Sequence, residues 1–419
     1  MISDVTMTLV ILVVALLLCG IAGWLFALCR SQRRKLDESE REVADAISRH
    51  IELLSAVAAV LVTKGSIALA AVMMLAACTK EGDTIYEWDP NEPKASTAPL
   101  VTVIYGQDAL GDRSYNDLIY QGVEEAAAKY GLRTMQLSPT SYEEGRGYLQ
   151  SMFQTVSQTL NDSVRRLFIV CAAGYDDYIR QNSHLFDSNP NADLLYLETP
   201  EPLAAGGSTL YLPYYGAMYE AGAILPVIND LATLIVSNPE DQTVVGAAKG
   251  FTDGFQTDYY RVEYEDMYMT WEKNLKTLYL AEHTGQGYNI ADSTALKVLN
   301  ECEGTIIPIC GGSGYTLMYL CDVTFSNSYV GIDVEKTSYW CHMSILKHID
   351  RAVGLCIGQW LSPEGMPMHQ VLGLKEGYTG VTLNLQDFYL EQYNKYIPET
   401  LRQQIHEDAV RKEEEYEKK

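Results

Sequence analysis

The stretch LVTVIYGQDALGDRSYNDLIYQGVEEAAAKYG, residues 100–131, decides the fold of this chain. Leu100 to Tyr105 is a short β-branched run suited to a buried parallel strand, and a polar loop over 106–116 follows it. Asp117 to Tyr130 shows helical periodicity, and Gly131 is well placed to end that helix. The sequence therefore predicts a strand–loop–helix unit at the start of its globular part.

The same unit recurs along the chain. Further strands are predicted at Arg166–Cys171, Leu194–Leu197, Thr243–Ala248, Leu278–Glu282, Thr305–Cys310, Tyr329–Asp333 and Val381–Leu383. Helices are predicted over Ala217–Leu234, from about Thr252 and from about Ala291. Strands that alternate with helices are typical of parallel sheets covered on both faces. Eight or so strands fit two sheets better than one, so we predict an α/β chain with two lobes.

Charge is distributed unevenly over the 419 residues. The net charge is −24, from 55 acidic and 31 basic side chains. Residues 1–77 hold seven of each sign, so the whole excess lies on 78–419. Nucleic-acid phosphates would repel such a surface, which excludes a nucleic-acid partner. The composition, 47% hydrophobic and 21% charged, is that of a globular protein.

Signals for catalysis and for metals are missing from the sequence. There is no H-E-x-x-H, no G-x-S-x-G, no Walker loop and no G-x-G-x-x-G after a strand, and the seven histidines form no cluster. The nine cysteines lack zinc-type spacing. We predict no catalytic residue, no metal and no cofactor. Six cysteines of the globular part are expected mostly as small core residues, with one or two disulfides left open: Cys171, Cys302, Cys310, Cys321, Cys341 and Cys356.

The N-terminal part is rich in apolar runs. Residues 7–29 are an apolar run of membrane-spanning length, and Arg30 begins a basic flank of the cytoplasmic kind. A second run, 53–77, ends in Leu-Ala-Ala before Cys78 and resembles a bacterial lipobox. The alternative is a second membrane helix that happens to end in a cysteine. The sharp change to polar residues after Cys78 favours lipidation of this cysteine.

This interpretation divides the front of the chain into three parts. Residues 1–61 are a hydrophobic extension read from a start site upstream of the true one, 62–77 are the lipoprotein signal peptide, and 78–97 are the lipidated cysteine and its tether. The expected location is the bacterial cell envelope, with a lipid anchor in the membrane. Thr79 after the cysteine, where retention in the inner membrane usually needs an aspartate, favours the outer membrane.

Ligands of open parallel sheets bind beyond the carboxyl ends of the strands, so the loops after the strands matter most. The first loop reads Gly-Asp-Arg-Ser-Tyr-Asn over 111–116, with Gly122 on the following helix. It resembles the D-K-S-F-N…G signature of the basic membrane protein family. Further similar pieces follow in the family's order at Ala172–Tyr175, Tyr219–Gly222, Gly250–Phe255, Gly311–Gly314, Val330–Asp333 and Ser344–Lys347.

The resemblance implies a type I periplasmic-binding-protein fold with three hinge crossovers between the lobes. It places 98–203 and 333–370 in lobe one, and 204–332 and 371–419 in lobe two. It also implies the substrate-binding component of an ABC-type importer, with a nucleoside-like small molecule as ligand and an ABC permease as partner. The chain departs from the family at Tyr115, where the family has phenylalanine, and after Gly314, where its third glycine and aromatic residue are missing.

The expected ligand-binding residues lie on those loops: Asp112, Ser114, Tyr115, Asn116, Gly174, Tyr175, Gly312, Ser313, Asp333 and Lys347. Asp112 and Asn116 offer hydrogen-bonding groups for the edge of a heterocycle, and Tyr115 offers a ring for stacking. Asp333 can accept hydrogen bonds from two ribose hydroxyls. Lys347 can donate to a hydroxyl or hold Asp333.

Each motif also has an ordinary structural interpretation. Asp112 to Ser114 also fits a turn with a helix cap, and Tyr115 also fits the core. Gly311 to Gly314 also fits a plain strand-to-helix turn, Asp333 a helix cap, and Lys347 a solvated lysine. Two other functions stay open: a sensing or surface-capture lipoprotein for a sugar or modified nucleoside, and a scaffold that binds only protein. The C-terminal run, 406–419, is expected to be a solvated helix end without function.

Overall fold

The computed structural model describes residues 97–418, apart from 161–162, 240–241, 260–272, 286, 386–393 and 395–396. Ser96–Lys419 form one compact unit. The predicted N-terminal extension, signal peptide, lipidation site at Cys78 and nearly all of the tether lie outside the described residues.

Lobe one is built on a six-stranded sheet. Its strands are β1 (Leu100–Ile104), β2 (Arg133–Leu137), β3 (Arg166–Val170), β4 (Ala192–Leu197), β5 (Ser208–Tyr211) and β11 (His369–Val371), in the order β11-β5-β4-β3-β1-β2 and all parallel. Its helices are α1 (Tyr115–Tyr130), α2 (Tyr142–Gln158), α3 (Asp176–Asn182) and α9 (Ile349–Leu361). Gly131 ends α1 in the left-handed conformation, as predicted.

Lobe two repeats the arrangement. Its strands are β6 (Leu231–Val236), β7 (Asn274–Tyr279), β8 (Thr305–Ile309), β9 (Tyr329–Asp333), β10 (Cys341–Lys347) and β12 (Thr379–Leu383), in the order β12-β10-β9-β8-β6-β7. Only β12 runs antiparallel to its neighbour in this sheet. Its helices are α4 (Tyr215–Ile228), α5 (Gln242–Gln256), α6 (Leu280–Thr284), α7 (Asp292–Leu299), α8 (Gly311–Thr324) and α10 (Glu399–Tyr416).

Three crossovers join the two sheets. The first is 212–214, between β5 and α4; the second is His348, between β10 and α9; the third is 372–378, between β11 and β12. The His348 N–H donates to the Tyr378 carbonyl at 2.8 Å, which ties the second crossover to the third. The prediction of an α/β, two-lobed fold with three hinge crossovers is confirmed.

Strand pairing moves two of the predicted lobe boundaries. The range 204–332 was assigned to lobe two, but β5 pairs with β4 in the sheet of lobe one. The range 333–370 was assigned to lobe one, but β10 pairs with β9 in lobe two. The chain therefore changes lobes after β5 and after β10, later than predicted in both places.

The helix pair α4–α5 corrects two predicted elements. The predicted strand Thr243–Ala248 lies within α5, because its apolar residues continue through Phe251 and Phe255 at helical spacing and pack on α4. The predicted helix Ala217–Leu234 ends at Ile228, and β6 begins at Leu231. Short apolar runs such as 231–234 and 243–248 do not distinguish a buried strand from a segment of a buried helix.

Two further elements differ from their predictions. The strand predicted at Leu278–Glu282 is β7, which ends at Tyr279 before the short helix α6. The C-terminal run predicted as a solvated helix end belongs to α10, which buries Ile405, Ala409 and Glu413 on one face. That face packs on α4, so the helix is part of the fold of lobe two.

The cysteines behave mostly as core residues. Five are buried and unpaired: Cys171, Cys310, Cys321, Cys341 and Cys356. Cys302 is half-buried and also a free thiol. Among the described residues no disulfide forms, and burial raises the pKa of these thiols, which lowers their reactivity.

Candidate ligand site between the lobes

The candidate site lies where loops at the carboxyl ends of strands from both sheets meet. Lobe one contributes the loop after β1 and Glu198, which directly follows β4. Lobe two contributes Asp333 at the end of β9 and Lys347 at the end of β10. Hydrogen bonds join these residues from one lobe to the other. We call this contact region the seam.

Asp112 organises the start of α1 through hydrogen bonds to backbone and side-chain N–H groups. Its carboxylate accepts hydrogen bonds from the backbone N–H groups of Ser114 at 2.9 Å and Asn116 at 3.0 Å. It also accepts from the side-chain amide of Asn116 at 2.8 Å. Asp112 thus caps this turn, because the helix start needs acceptors for its free N–H groups. A ligand contact for Asp112 and Asn116 stays a prediction.

This capping leaves the Ser114 hydroxyl free to reach the other lobe. Ser114 precedes α1, but its side chain makes no capping hydrogen bond. Its hydroxyl donates to Asp333 Oδ2 at 2.6 Å, between residues 219 positions apart. Two predicted ligand residues from different lobes are thus in direct contact at the seam.

Asp333 is held in an unusual backbone conformation. Its φ of 64° lies in the left-handed region, which residues other than glycine rarely adopt. Its N–H donates to the Tyr214 hydroxyl at 3.1 Å, and that hydroxyl donates to the Ile345 carbonyl at 2.7 Å. Desolvation raises the pKa of the Asp333 carboxyl, while Lys347 and the Ser114 hydrogen bond oppose the rise. The seam thus orients a carboxylate through a tyrosine of the first crossover.

Lys347 is a buried cation. Its ammonium donates to Glu198 Oε2 at 2.8 Å, and the two side chains are only 5% and 13% exposed. The ammonium also lies 5.4 Å from the centre of the Tyr115 ring and 5.2 Å from that of Tyr214. Glu198 itself has a φ of 57°. The interpretation of Lys347 as a solvated lysine is therefore wrong. No sequence motif marks its partner Glu198.

Tyr115 has a buried hydroxyl without a partner. The residue is half-buried, and none of the described residues hydrogen bonds to its hydroxyl. Burial raises the pKa of this group well above its usual value, so it is a neutral donor. A buried hydroxyl without a partner is costly, which makes this atom a natural contact for a polar ligand.

A second interlobe contact pairs Arg113 with Tyr315 on α8. The guanidinium donates to the Tyr315 hydroxyl and lies 4.8 Å from the centre of its ring. Lys336 also lies 5.6 Å from that ring, and Tyr319 stacks beside it at 6.4 Å. Tyr315 directly follows Gly314. Arg113 lies in the predicted binding loop but was not among the predicted ligand-binding residues.

Of the two predicted site residues after β3, Tyr175 belongs to the core of lobe one and Gly174 is exposed. Tyr175 is completely buried, and its hydroxyl donates to the Tyr105 carbonyl at 3.2 Å. A Cβ on Gly174 would lie 2.4 Å from the Tyr142 ring. The apolar cluster beneath α2 holds the Tyr175 ring, and a ligand contact for Gly174 and Tyr175 stays a prediction.

The glycine-rich start of α8 packs against a loop of its own lobe. The Ser313 hydroxyl accepts from the Ile290 N–H at 3.1 Å and is fully buried. A Cβ on Gly312 would lie 2.2 Å from Asn289 Oδ1. These contacts are those of a tight strand-to-helix turn, and a ligand role for Gly312 and Ser313 stays a prediction.

Metal and membrane features can be assessed only in the described part of the chain. There, no group of three or more histidine, cysteine, aspartate or glutamate side chains is arranged to hold a metal ion. None of the helices described between 97 and 418 is long and apolar enough to span a bilayer.

Comparison with known proteins establishes the fold. No protein-family model matches the chain, and no curated protein is similar to it. A solute-binding protein of an ABC transporter system from Aeropyrum pernix K1 matches with a TM-score of 0.52 and 16% identity, over 76% of this chain and 90% of its own. A transcriptional activator of the comK gene from Bacillus halodurans matches with 0.51 and 13%, over 71% and 95%. The chain thus has the two-lobed type I periplasmic-binding-protein fold.

Proposed function

We propose that this chain is the solute-binding component of an ABC-type importer, closing its lobes over a nucleoside-like small molecule without chemical change. The observation that carries the proposal is the seam itself. Ser114 and Tyr115 from lobe one meet Asp333 and Lys347 from lobe two. The buried hydroxyl of Tyr115 has no hydrogen-bond partner among the described residues. Buried polar groups gathered between two hinged lobes suit a ligand that supplies the missing hydrogen bonds.

The chemistry of the seam favours a ligand rich in hydroxyl groups. A carboxylate such as Asp333 accepts from two neighbouring hydroxyls, as on a ribose, and Lys347 donates to their oxygens. Tyr115 and Tyr315 offer aromatic rings for a base or for the apolar face of a sugar. The likeness to a solute-binding protein of the same fold supports the solute-binding role and leaves the class of ligand to the chemistry of the seam.

The cellular location of the protein is part of the same proposal. The lipobox-like segment before Cys78 supports a lipid anchor in the bacterial cell envelope, and Thr79 favours the outer membrane. The partner would be an ABC permease. Mass spectrometry of the mature N-terminus tests the anchor: a diacylated Cys78 is expected, and any other N-terminus contradicts it.

The binding proposal is tested by titrating the full-length chain in detergent with nucleosides, free bases and simple sugars. A ligand at a hundred times its dissociation constant should add about 2.7 kcal/mol to the free energy of unfolding. Asp333→Asn removes a charged acceptor of the same shape and should weaken nucleoside binding about ten- to a hundredfold. The matched control is Asp187→Asn, an exposed residue away from the seam.

The outcomes separate the parts of the proposal. Nucleoside binding that Asp333→Asn weakens and Asp187→Asn does not would support it. Binding of a sugar but of no nucleoside would keep the clamp and discard the ligand. If no compound changes the stability, the solute-binding function is rejected.

A further inference from the structure

The C-terminal helix α10 crosses the hinge instead of projecting into solvent. Its buried face, Ile405, Ala409 and Glu413, packs on α4, which begins directly after the first crossover. At its end the Tyr416 ring stacks on Tyr215, with 4.5 Å between ring centres. A helix that ends the chain is thus fixed against the point where the chain first changes lobes.

Glu413 is the polar residue at the centre of this contact. Its Oε2 accepts from the Gly216 N–H at 2.7 Å, and its Oε1 accepts from the Leu374 N–H at 2.9 Å. Gly216 lies in the first turn of α4, where N–H groups have no partner within the helix. Leu374 belongs to the third crossover. One carboxyl group therefore joins the first turn of α4, directly after the first crossover, to the third crossover.

Gly216 and Gly373 leave the space that the Glu413 carboxyl group occupies. A Cβ on Gly216 would lie 2.7 Å from Glu413 Oε2, and a Cβ on Gly373 would lie 2.3 Å from Oε1. Both distances are too short for real contacts, so the two glycines allow the carboxyl to reach the crossovers. Glu413 is only 5% exposed.

The charges around Glu413 are mostly of its own sign. Glu417, which directly follows α10, accepts from the Tyr211 hydroxyl of β5 at 3.3 Å. Glu376, from the third crossover, accepts from the Gly373 N–H at 2.9 Å. The third crossover also carries Lys375, which binds Glu414 at the surface at 2.7 Å. On the α4 side the neighbouring titratable group is the hydroxyl of Tyr215, which donates to Asp253.

Burial raises the pKa of Glu413 to about 7, the two N–H donors oppose this, and Glu417 and Glu376 add to the rise. A group whose pKa is higher in the docked state stabilises docking fully below its ordinary value of 4.5. That contribution is lost as the pH rises through about 7.

We propose that α10 is a strap across the hinge, fastened by Glu413, and that its hold on the first and third crossovers weakens when Glu413 becomes ionised. The strap limits how far the two crossovers move apart, and so how readily the lobes open. Only its consequence for solute release rests on the proposed binding function. The fastening itself is a property of the chain without ligand.

The test is hydrogen exchange of the full-length chain in detergent, without ligand, at about pH 6 and about pH 8. After correction for intrinsic exchange rates, opening around 212–217 and 372–378 should increase about tenfold at the higher pH, if the pKa falls from about 7 to 4.5 on release. Peptides covering β1 and β6 serve as the internal reference and should change little.

Glu413→Gln removes the titrating group and keeps its shape, so the difference between the two pH values should disappear at both crossovers. Glu414→Gln is the matched control, because it changes an exposed neighbour that pairs with Lys375, and it should keep the difference. Glu413→Ala should raise exchange at both crossovers at either pH, because it leaves two buried N–H groups without an acceptor.

Crossover exchange that does not depend on pH in the unmodified chain overturns the proposal. So does a pH difference that persists in Glu413→Gln. If Glu413→Ala raises exchange equally in β1 and β6, Glu413 supports the whole fold and not the hinge, which also rejects a strap. A failure of nucleosides to bind leaves these readouts unaffected, so the two proposals fail separately.

Discussion

The seam between the lobes and the helix pair α4–α5 contain sequence pieces of the same family resemblance, but they do different work. At the seam, Ser114, Asp333 and Lys347 bring polar groups of two lobes together. In the helix pair, Gly222 and Gly254 let two backbones approach within one lobe. A short motif therefore indicates a local backbone geometry. Only its position in the fold tells whether that geometry serves binding or packing.

The largest effect is expected at the seam, from Lys347→Met. This change leaves Glu198 buried without its cation, and removing one partner of a buried ion pair typically costs about 3–5 kcal/mol. Chemical unfolding of the full-length chain measures the loss. Adding Glu198→Gln to the same chain should recover part of it, because position 198 then no longer holds a buried charge without its cation.

The matched control is Lys249→Met, which breaks a largely exposed pair with Asp253 on α5. Exposed pairs contribute less than about 1 kcal/mol, so this variant should be nearly neutral. Equal losses for the two lysine variants would show that the seam pair is no more buried in solution than a surface pair.

An intermediate effect is expected in the helix pair, from Gly254→Ala. The new Cβ would lie 2.0 Å from the Tyr219 carbonyl, a backbone atom that yields only if the helices separate. Overpacking of this kind costs about 1–3 kcal/mol, again measured by unfolding. Gly147→Ala on α2 is the control: nothing lies within 4 Å of its Cβ, and alanine should stabilise the helix by about 0.5–1 kcal/mol.

The smallest effect on stability is expected from Tyr115→Phe. Its hydroxyl is buried without a partner, so removing it should leave the ligand-free chain unchanged or up to about 1 kcal/mol more stable. Solute affinity should nevertheless fall about tenfold, because the ligand loses a donor. Calorimetry and unfolding on the same sample measure both quantities.

Tyr175→Phe sharpens the contrast with Tyr115→Phe. Its hydroxyl already donates to the Tyr105 carbonyl in the core, so its loss should cost about 1 kcal/mol of stability and leave affinity unchanged. The opposite result, a loss of affinity with Tyr175→Phe and none with Tyr115→Phe, would show that the ligand contacts the loop after β3 and not Tyr115.

The sequence predicted much of the fold but only part of the site. The strands at 100–104, 166–170 and 305–309 were predicted nearly to the residue, because short β-branched runs between polar loops have few other structures. The prediction failed for α5, where Val244 and its apolar neighbours resemble a strand until Phe251 and Phe255 extend the helical spacing.

The residues of the candidate site were also predicted only in part. Tyr115, Asp333 and Lys347 were predicted because short pieces of sequence around them resemble those of one family. Two further residues at the contact between the lobes were not predicted: Glu198, which follows β4 without any motif, and Arg113, which contacts Tyr315. The C-terminal helix was predicted as solvated, since a highly charged run gives no sign that one glutamate is buried.

The sequence alone determined the alternation of strands and helices, and with it the class of fold, because local periodicity decides which faces must be buried. Only the tertiary structure decided which polar groups meet. Ser114 and Asp333 lie 219 positions apart, and Glu413 and Gly216 lie 197 apart. Such pairs form because two sheets and three crossovers bring the loops together, and a hydrogen bond depends on a few ångströms that no local pattern encodes.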